Sequence, residues 1–398
     1  MPRPNKDMEH STARDCLIKT INLEETDRIP CCFMSFSILL NRLNENRYAL
    51  AREELNMGLD AMLFIPSASK AERPHHPYLR GLPIHFHPDV KTEQWASQQD
   101  GKSILNKKYS TPEGSLTTTV KLSNDWPHGN QIPFIDDYQV PRTLKPLVTC
   151  REDLEIIKKY FLLPPNIGEI ENFKKEYKEA KTFVKEHNVL LAGGWGVGLD
   201  MAFWLCGMQD LMFKMSEDPG FVIDLLTIIH EWNKKRMITV LSEGVDLYIR
   251  RAWYEGCDFI TPEFYEEAVL PLLKSETELA HEYGTKFGYI CSSGHVPMLD
   301  AYLESGIDVL IGVDPVQGSH TDMEVLKNKI GHKICLWGGV SAAITVERGS
   351  DKEVRDAVQK AVKTLGPKGF ILSPIDNITI DDPNTWKNIG IFIDEWQK

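Results

Sequence analysis

Aromatic and acidic side chains are concentrated in short segments that directly follow apolar stretches of the sequence. In chain order they are Ser35 and Phe36; Trp195; Trp253, Tyr254, Glu255 and Asp258; Tyr289, Cys291, Ser292 and His295; Asp314; Trp337; and Asp376 and Asn377. Fixed positive charges are few in this set. A pocket built from these groups suits a largely apolar, aromatic ligand with a few polar handles, and it argues against a polyanionic substrate. The alternative is that several of the aromatic side chains only fill the interior of the fold.

A glycine-rich run, Gly193–Gly198, follows an apolar stretch and begins a helical one, as in a dinucleotide-binding loop. The third small residue of that motif is missing in either register, because Leu199 and Met201 occupy its position. The incomplete motif therefore argues against nucleotide binding by this run. We expect its glycines to let the backbone approach a ligand closely.

Histidines occur in pairs at His75-His76 and His85-x-His87, and a thiol and an imidazole are paired at Cys291-x-x-x-His295. The segment around the first two pairs offers no cysteine or well-spaced carboxylate to complete a metal site. We therefore interpret these histidines as exposed loop residues. The Cys291 to His295 spacing is a better metal candidate, but a single pair has low specificity.

Apolar stretches alternate with helical patterns such as Arg151–Tyr160, Ile167–His187, Pro262–Tyr283 and Asp351–Leu365. The predicted strands are Ile29–Ser35, Leu59–Ile65, Val189–Ala192, Val245–Ala252, Lys286–Cys291, Ile307–Val313, Lys333–Trp337 and Gly369–Ser373. Mostly apolar strands that alternate with helices indicate a parallel sheet covered by helices. The pattern predicts an α/β fold, a (β/α)₈ TIM-type barrel, with an open doubly wound sheet as the alternative. Functional residues of such barrels lie at the carboxyl ends of the strands.

One long segment, Lys70–Pro146, interrupts this alternation after the second strand. It is polar and rich in proline and aromatic residues, and Ile104–Tyr109 and Ser115–Leu122 predict a hairpin around the turn Thr111–Gly114. We expect an insertion, residues 70–146, that packs near the barrel mouth within a single domain spanning residues 1–398.

The composition fits an ordinary globular chain, with 42% hydrophobic and 26% charged residues. The net charge of −12 argues against nucleic acid and anionic membranes as partners. No apolar run approaches the ~18 residues of a membrane span, and the amino-terminal residues lack the apolar stretch of a signal peptide. The eight cysteines form no C-x-x-C pair. We therefore expect a cytoplasmic protein with reduced cysteines.

Several segments resemble the uroporphyrinogen decarboxylase superfamily. They are Glu25–Pro30, Lys286–Cys291, Gly306–Asp314, Leu336–Val340 and Gly369–Pro374. The resemblance extends over roughly residues 14 to 396 and is strongest from Val245 onward. It implies a distorted (β/α)₈ barrel, and an activity either as a decarboxylase or as a corrinoid-dependent methyltransferase.

True decarboxylases of this superfamily carry an Arg-Gln-Ala-Gly-Arg segment after strand one, whose arginines hold the carboxylates of the substrate. The corresponding stretch here, Phe33–Leu39, has no arginine, and the next one is Arg42. An octacarboxylate would therefore lack its bidentate partners. The departure argues against decarboxylation, which stays as the last alternative.

Members of the superfamily that methylate coenzyme M bind zinc through His-x-Cys after strand five and a cysteine after strand eight. The matching positions here are Tyr289, Cys291 and Asp376, so one of the three ligands is kept. This departure argues against activation of a thiol by zinc at these positions. The alternative is a more oxygen-rich metal site of Cys291, Asp376 and Glu255, completed by Asp258 or His295.

Trp253–Phe259 and Trp337–Val340 resemble the substrate methyltransferases of anaerobic aryl O-demethylase systems. This resemblance implies transfer of a methyl group from a methoxylated aromatic compound to the cobalt(I) corrinoid of a separate protein. The phenolate leaving group needs a proton donor or a polarising group, and a carboxyl or phenol with a raised pKa could serve. The implied candidate acids are Glu255, Asp258, Tyr289 and Asp376. The implied substrate-binding residues are Phe36, Trp195, Trp253, Tyr254, Cys291, His295, Trp337 and Asn377.

The chain lacks the Asp-x-His-x-x-Gly motif of many corrinoid proteins, because none of its twelve histidines has an aspartate two residues before it. The resemblance therefore implies cobalamin carried by a partner protein. We expect this partner to dock over the barrel mouth, at the loops around Gly196, Ser293 and Gln317. Two other functions stay open, namely methyl transfer involving a thiol or a methylamine, and a barrel that binds a ligand without catalysis.

Overall fold

The structure is a computed structural model, and it describes residues 11–66 and 85–398. The strands are β1 (Met62–Pro66), β2 (Lys91–Gln99), β3 (Lys102–Thr111), β4 (Gly114–Lys121), β5 (Thr143–Lys145), β6 (Leu190–Gly196), β7 (Leu247–Arg251), β8 (Lys286–Ile290), β9 (Val309–Val313), β10 (Cys335–Ser341) and β11 (Phe370–Ile375). The helices are α1 (Ala13–Ile21), α2 (Ser37–Arg42), α3 (Arg47–Asn56), α4 (Arg151–Tyr160), α5 (Ile167–His187), α6 (Leu199–Cys206), α7 (Met208–Glu217), α8 (Pro219–Leu241), α9 (Pro262–Phe264), α10 (Leu270–Glu282), α11 (Leu299–Ser305), α12 (Met323–Ile330), α13 (Asp351–Leu365) and α14 (Pro383–Trp396).

Within the described residues, seven parallel strands form one sheet in the order β1-β6-β7-β8-β9-β10-β11. The sheet has two buried faces because side chains alternate along each strand. Leu247, Ile249 and Ile290 pack in a core that also holds Leu190, Ala192, Val309, Ile311, Trp337, Ile371 and Ile375. The residues between them, such as Tyr248 and Tyr289, belong to a second core that the helices cover. The first core fills the interior of the curled sheet, and the second lies between sheet and helices.

The segment predicted as strand one, Ile29–Ser35, contributes an isolated bridge between Cys31 and Leu372 of β11 instead of a regular strand. The amide of Cys32 donates to Leu372 O (3.1 Å), and the amide of Asp60, just before β1, donates to Cys31 O (2.8 Å). This segment therefore contacts the edge strand β11 on one side and the residues just before the edge strand β1 on the other. It joins the two ends of the sheet. Pro30 has no amide hydrogen to donate to a ladder, which limits the segment to this short contact. The predicted parallel sheet wrapped in helices is confirmed, but its first strand is wrong.

The helices predicted at residues 151–160, 167–187 and 351–365 are confirmed as α4, α5 and α13. The sequence defines the starts of the last two through capping boxes, since Asn166 pairs with Glu169 and Ser350 pairs with Glu353. No described helix has the length and apolar character needed to cross a membrane.

A second sheet, antiparallel and ordered β2-β3-β4-β5, occupies the described part of the predicted insertion. The hairpin expected around Thr111–Gly114 is formed by β3 and β4. Residues 70–84, with His75 and His76, lie outside the described residues. Nε2 of His85 lies 2.8 Å from Oε1 of Glu169, so this imidazole has a carboxylate partner. The assignment of residues 1–398 to a single domain stays a prediction.

Candidate active site

A cavity of about 1230 Å³ opens where the parallel strands end. Its wall includes the aromatic side chains Phe33, Phe36, Phe64, Tyr138, Trp195, Trp253, Tyr254 and Phe259, and the carboxyl groups of Glu54, Asp136, Asp137, Asp258 and Asp376. The rings contact one another, with centroids 5.4 Å apart for Phe64 and Trp195 and 5.8 Å apart for Trp195 and Trp253. An aromatic wall with a few carboxyl groups matches the pocket expected from the sequence.

Seven of the twelve residues predicted as acids or substrate-binding residues line this cavity. They are Phe36, Trp195, Trp253, Tyr254, Asp258, Asp376 and Asn377. The side chain of Asn377 is held at both ends, because its Oδ1 accepts a hydrogen bond from Ser35 Oγ and its Nδ2 donates one to Ser37 Oγ, each 2.8 Å long. The last strand and the first segment of the sheet are therefore fixed to each other directly beside Asp376.

Asp376 follows β11 and has the most unusual surroundings of the acidic residues on the cavity wall. Within the part of the chain that the structure describes, its carboxyl group makes no hydrogen bond or ion pair. Burial raises the pKa of Asp376 to about 6, although the nearby Arg251 guanidinium acts in the opposite direction. This carboxyl group therefore stays protonated to a higher pH than an ordinary aspartate does, and it lines the cavity.

Asp258 lines the same cavity but is held as a carboxylate. It accepts hydrogen bonds from the amide of Ser319 (3.1 Å) and from Ser319 Oγ. Burial alone would raise its pKa, but the hydrogen bonds from Ser293 and Ser319 outweigh burial, so the pKa of Asp258 lies below its usual value. An ionised carboxylate is a poor proton donor, which separates Asp258 from Asp376.

Glu255 and Tyr289 do not reach the cavity, contrary to the sequence prediction. Oε1 of Glu255 accepts hydrogen bonds from the amide of Leu199 (3.0 Å) and from Arg250 Nη2 (2.8 Å), and the hydroxyl of Tyr289 donates to Oε2 (2.6 Å). Burial raises the pKa of Glu255, and Arg250 and Tyr289 oppose that shift. Arg250 and Tyr289 are the outward-facing residues of β7 and β8, so this network lies between sheet and helices.

Cys291 and His295 are also fully buried, in the layer between sheet and helices. The hydroxyl of Tyr302 lies 3.7 Å from Cys291 Sγ and 3.4 Å from His295 Nδ1. Burial raises the pKa of Cys291 to about 12 and lowers the pKa of His295 to about 4. Both are therefore neutral packed side chains, and neither lines the cavity in which the sequence prediction placed them.

Trp337 is fully buried in the interior of the curled sheet, beneath the cavity instead of on its wall. Its Nε1 donates a hydrogen bond to Cys32 O (2.9 Å). Trp337 therefore fills the interior of the fold and does not line the cavity. This position agrees with the alternative that some of the aromatic side chains are core residues.

The metal set suggested by the sequence is not assembled. Glu255 is bound to Arg250, Cys291 is buried beside Tyr302, and Asp376 faces the cavity. Among the described His, Cys, Asp and Glu residues, the three with ligand atoms close enough to share an ion are Cys257, Asp258 and His320.

Sequence reasoning missed Arg251, which lines the cavity and is almost fully buried. Its Nε donates to Asp200 (2.8 Å), and Nη1 and Nη2 donate to the two carboxylate oxygens of Asp137 (3.1 and 3.0 Å). Its guanidinium carbon lies 4.1 Å from the centre of the Trp253 ring. The doublet Arg250-Arg251 at a strand end was the available signal, because alternation along β7 turns one arginine outward and the other inward.

The glycine run serves a different purpose from the one expected. A side chain at Gly198 would overlap Arg250 and Glu255, and a Cβ at Gly194 would lie 2.7 Å from the Tyr248 ring. These glycines make room for buried side chains of β7 and the loop after it. Trp195, between them, has φ +88°, and its buried Nε1 has no hydrogen-bond partner among the described residues. A bulky residue held in this conformation beside a cavity is typical of ligand sites.

The model of the uroporphyrinogen decarboxylase (URO-D) family matches residues 128–395. Among solved structures, a methyltransferase from Methanosarcina mazei is similar with a TM-score of 0.58 and 13% sequence identity, over 97% of this chain and 98% of that chain. A B12-independent methionine synthase from Shewanella sp. W3-18-1 aligns with a TM-score of 0.36 and 14% identity, over 55% of this chain and 64% of its own. No curated protein sequence matches the chain. At these identities the first likeness shows a shared fold, and the second carries no argument.

Proposed function

This chain belongs to the uroporphyrinogen decarboxylase (URO-D) family, and on that premise we propose that it is a methyltransferase that acts on a methoxylated aromatic compound. The acceptor is the cobalt(I) corrinoid of a separate protein that docks at the mouth of the cavity. Support comes from the aromatic wall of the cavity, from Asp376, and from the resemblance of Trp253–Phe259 to O-demethylase methyltransferases.

The charges on the cavity wall favour this proposal over decarboxylation of a polycarboxylate. Among the described residues, the arginines on the wall are Arg47 and Arg251. Arg251 is already bound to Asp137 and Asp200, and Arg47 Nη1 donates to Phe64 O (3.0 Å). A substrate with many carboxylates needs several arginines available for bidentate pairs, whereas a neutral arene is compatible with this wall.

The observation that carries the proposal is the position of Asp376, whose carboxyl group lies on the wall of an aromatic cavity without a hydrogen-bond partner among the described residues. Its raised pKa is consistent with this position. An aryl methyl ether loses its methyl group only if the departing oxygen is stabilised, because a phenolate is a poor leaving group. In the proposed reaction the bond between methyl carbon and ether oxygen breaks, and the methyl carbon passes to the corrinoid. The proton of Asp376 goes to the ether oxygen, which leaves as a phenol. The electron pair of the broken bond stays on the oxygen, and the cobalt(I) of the partner protein would supply the pair for the new bond to the methyl carbon. Asp376 is left as a carboxylate, which regains its proton from solvent.

The aromatic side chains around Asp376 would hold the arene and keep its oxygen away from water. Trp195 and Trp253 are in edge contact, and the rings of Tyr254 and Phe259 lie 5.1 Å apart. Their flat faces and edges suit an aromatic ligand in offset or edge contact. Exclusion of water strengthens the hydrogen bond from a neutral carboxyl group to the ether oxygen.

The test is a methyl-transfer assay with a reduced corrinoid protein and a panel of methoxyphenols and methoxybenzenes. We expect Asp376→Asn to lower the rate by about 10² to 10⁴, the usual contribution of a positioned acid. Asp356→Asn, on the exposed face of α13, is the control and should keep the wild-type rate. Wild-type rates in Asp376→Asn would reject the acid, and transfer to a thiol or from a methylamine without any arene demethylation would reject the substrate class.

A further inference from the structure

Cys257, Asp258 and His320 form a cluster of potential metal ligands at the edge of the cavity. One ligand atom from each of the three side chains lies within 4.8 Å of the other two. Cys257 and Asp258 belong to the loop after β7, and His320 belongs to the loop after β9. We propose that this cluster binds one zinc ion, at a site different from the Cys291-based sites that the sequence suggested.

The backbone around the cluster is organised before any ion binds. The amide of Cys257 donates to Gly294 O (3.1 Å), the amide of Gly294 donates to Ser319 O (2.9 Å), and the amide of Val296 donates to His320 O (2.9 Å). These bonds connect the loops that follow the neighbouring strands β7, β8 and β9. Gly294 has φ +71°, and a Cβ there would lie 2.5 Å from the amide nitrogen of Cys257. The close approach of the loops therefore depends on glycine.

One side chain, Ser319, orients two of the three ligands. Its hydroxyl donates to Asp258 Oδ1 and lies 2.6 Å from His320 Nδ1, and its amide also donates to Asp258. Metal ligands are typically held in this way by hydrogen bonds to neighbouring polar groups. Tetrahedral zinc ligands at about 2.0–2.3 Å from the ion lie within about 4 Å of one another. On binding zinc, the distances between the three ligand atoms would thus shorten by on the order of 1 Å. Rotation about the side-chain bonds of these partly exposed residues would allow this change.

The donor set identifies the class of ion. One thiolate, one carboxylate and one imidazole combine sulfur, oxygen and nitrogen, a mixture that suits zinc better than the hard cations magnesium or calcium. Three protein ligands leave a fourth position open, as in catalytic zinc sites. Because Asp258 lies on the cavity wall, the open position would face the cavity and accept an oxygen or sulfur atom of a ligand. Only this role rests on the proposed function; zinc binding itself does not.

The test is the zinc content of the purified full chain, measured by mass spectrometry after zinc saturation and dialysis, without substrate or corrinoid protein. We expect about one zinc ion per chain in the wild type and in Cys150→Ser, an exposed cysteine far from the cluster in sequence. Cys257→Ser and His320→Ala should lose the ion, and Ser319→Ala should weaken binding by about 10- to 100-fold. A cobalt(II)-substituted wild type should show a thiolate charge-transfer band that Cys257→Ser lacks.

Circular dichroism of each variant would establish that it folds. The proposal is rejected if the wild type retains no zinc, or if folded Cys257→Ser and His320→Ala retain it fully. Loss of zinc in Cys291→Ser but not in Cys257→Ser would also reject it, because the ion would then be bound elsewhere. These measurements need no catalysis, so a failure of the proposed methyl transfer would leave their outcome unchanged.

Discussion

Asp376 and Asp258 line the same cavity, yet their surroundings move their pKa values in opposite directions. Asp376 is partly buried and has no hydrogen-bond donor among the described residues, so its neutral form is favoured. Asp258 receives hydrogen bonds from Ser293 and Ser319, which favour its carboxylate. Carboxyl groups whose pKa values are separated in this way suit different roles. The proposed roles are an acid for Asp376 and a cation ligand for Asp258.

The proposed role of Asp376 as an acid predicts a particular pH dependence. Its pKa is raised to about 6, so the protonated form is lost as the pH rises through about 6. We expect kcat/KM for methyl transfer to fall above this pH, by up to about tenfold per pH unit. Asp376→Asn should have a low rate that does not fall in this pH range. Asp356→Asn should show the same fall of kcat/KM as the wild type. A rate that rises with pH through the same range in the wild type would contradict the assignment.

Glu54 on α3 predicts a pH dependence of stability. It is 3% exposed, and within residues 11–66 and 85–398 its carboxyl group makes no hydrogen bond or ion pair. Burial raises its pKa well above the usual value. A raised folded-state pKa means that the stabilising contribution is complete below the unfolded pKa and is lost as the pH rises through the folded pKa. Glu54→Gln should therefore reduce the decline of the free energy of unfolding as the pH rises above about 4.5, the ordinary pKa of a glutamate.

The measurement is urea denaturation at several pH values, with Glu53→Gln on the same helix as the control. Glu53 is partly exposed and contacts Asn56 Nδ2 at 3.2 Å. Its replacement should leave the slope of stability against pH unchanged. Parallel pH profiles for the wild type and Glu54→Gln would show that Glu54 finds a partner in solution.

At the scale of the elements, strand ends could be located from the sequence, but the direction of each side chain could not. Arg250 and Tyr289 turn outward to the helices, while Arg251 turns inward to the cavity. A shift of one residue reverses the face of the sheet, and a strand buried on both faces shows no polar alternation that would fix the register. Glu255 was misplaced for a related reason, because its partner Arg250 faces outward.

Residues brought to the site by distant elements left no local signal. Asp137 lies in the segment 70–146, which the sequence predicts to be an insertion, and it contacts Arg251 across 114 positions of sequence. Cys257 and His320 come from different loops, and neither has the spacing of a metal-binding motif. In contrast, α5 and α13 could be predicted because their capping boxes are local.

Arg251 of β7 forms ion pairs with Asp200 of α6 and with Asp137, and these contacts predict that its replacement has a large effect on stability. Arg251→Met would leave the fully buried Asp200 without its partner. Removal of one member of a buried ion pair destabilises proteins by about 3–5 kcal/mol. Arg42→Met is the matched control, because Arg42 and Asp381 form an exposed pair, which contributes about 1 kcal/mol or less.

Urea denaturation of the two variants would measure both effects. We expect the double variant Arg251→Met, Asp200→Asn to recover part of the lost free energy of unfolding, because an uncharged amide then replaces the buried carboxylate. If Arg251→Met and Arg42→Met lowered the free energy of unfolding by equally small amounts, Asp200 would be protonated in the folded protein and would need no cation.

At the scale of the whole molecule, side chains of the parallel sheet fall into three regions. Trp337 and its neighbours fill the interior of the curled sheet, Glu255 and Tyr289 lie between sheet and helices, and Trp253 lies on the cavity wall. The sequence predicted the sheet and the strand ends, which all three regions share. It did not separate the regions, because each is rich in aromatic residues.

The sequence predicts that Trp337 and Trp253 both bind substrate. Their different positions in the structure predict that their replacement has different effects. Trp337→Ala empties part of the sheet interior and leaves Cys32 O without its hydrogen bond. We expect it to lower the free energy of unfolding by about 3–5 kcal/mol while the Kd for a methoxyarene changes little. Trp253→Ala removes a ring from the cavity wall and its contact with Arg251. It should cost about 2 kcal/mol or less in stability and weaken binding of the arene.

Urea denaturation and titration calorimetry, the latter with an arene that the wild type demethylates, would give the two quantities for each variant. Trp337 is fully buried beneath the cavity, so its effect on binding can arise only through a change in the fold, which circular dichroism would detect. Trp253 contacts Trp195 on the wall, so its effect on binding should persist in a folded protein. If Trp337→Ala weakened binding as much as Trp253→Ala without loss of stability, Trp337 would contact the ligand and the cavity would extend into the sheet interior.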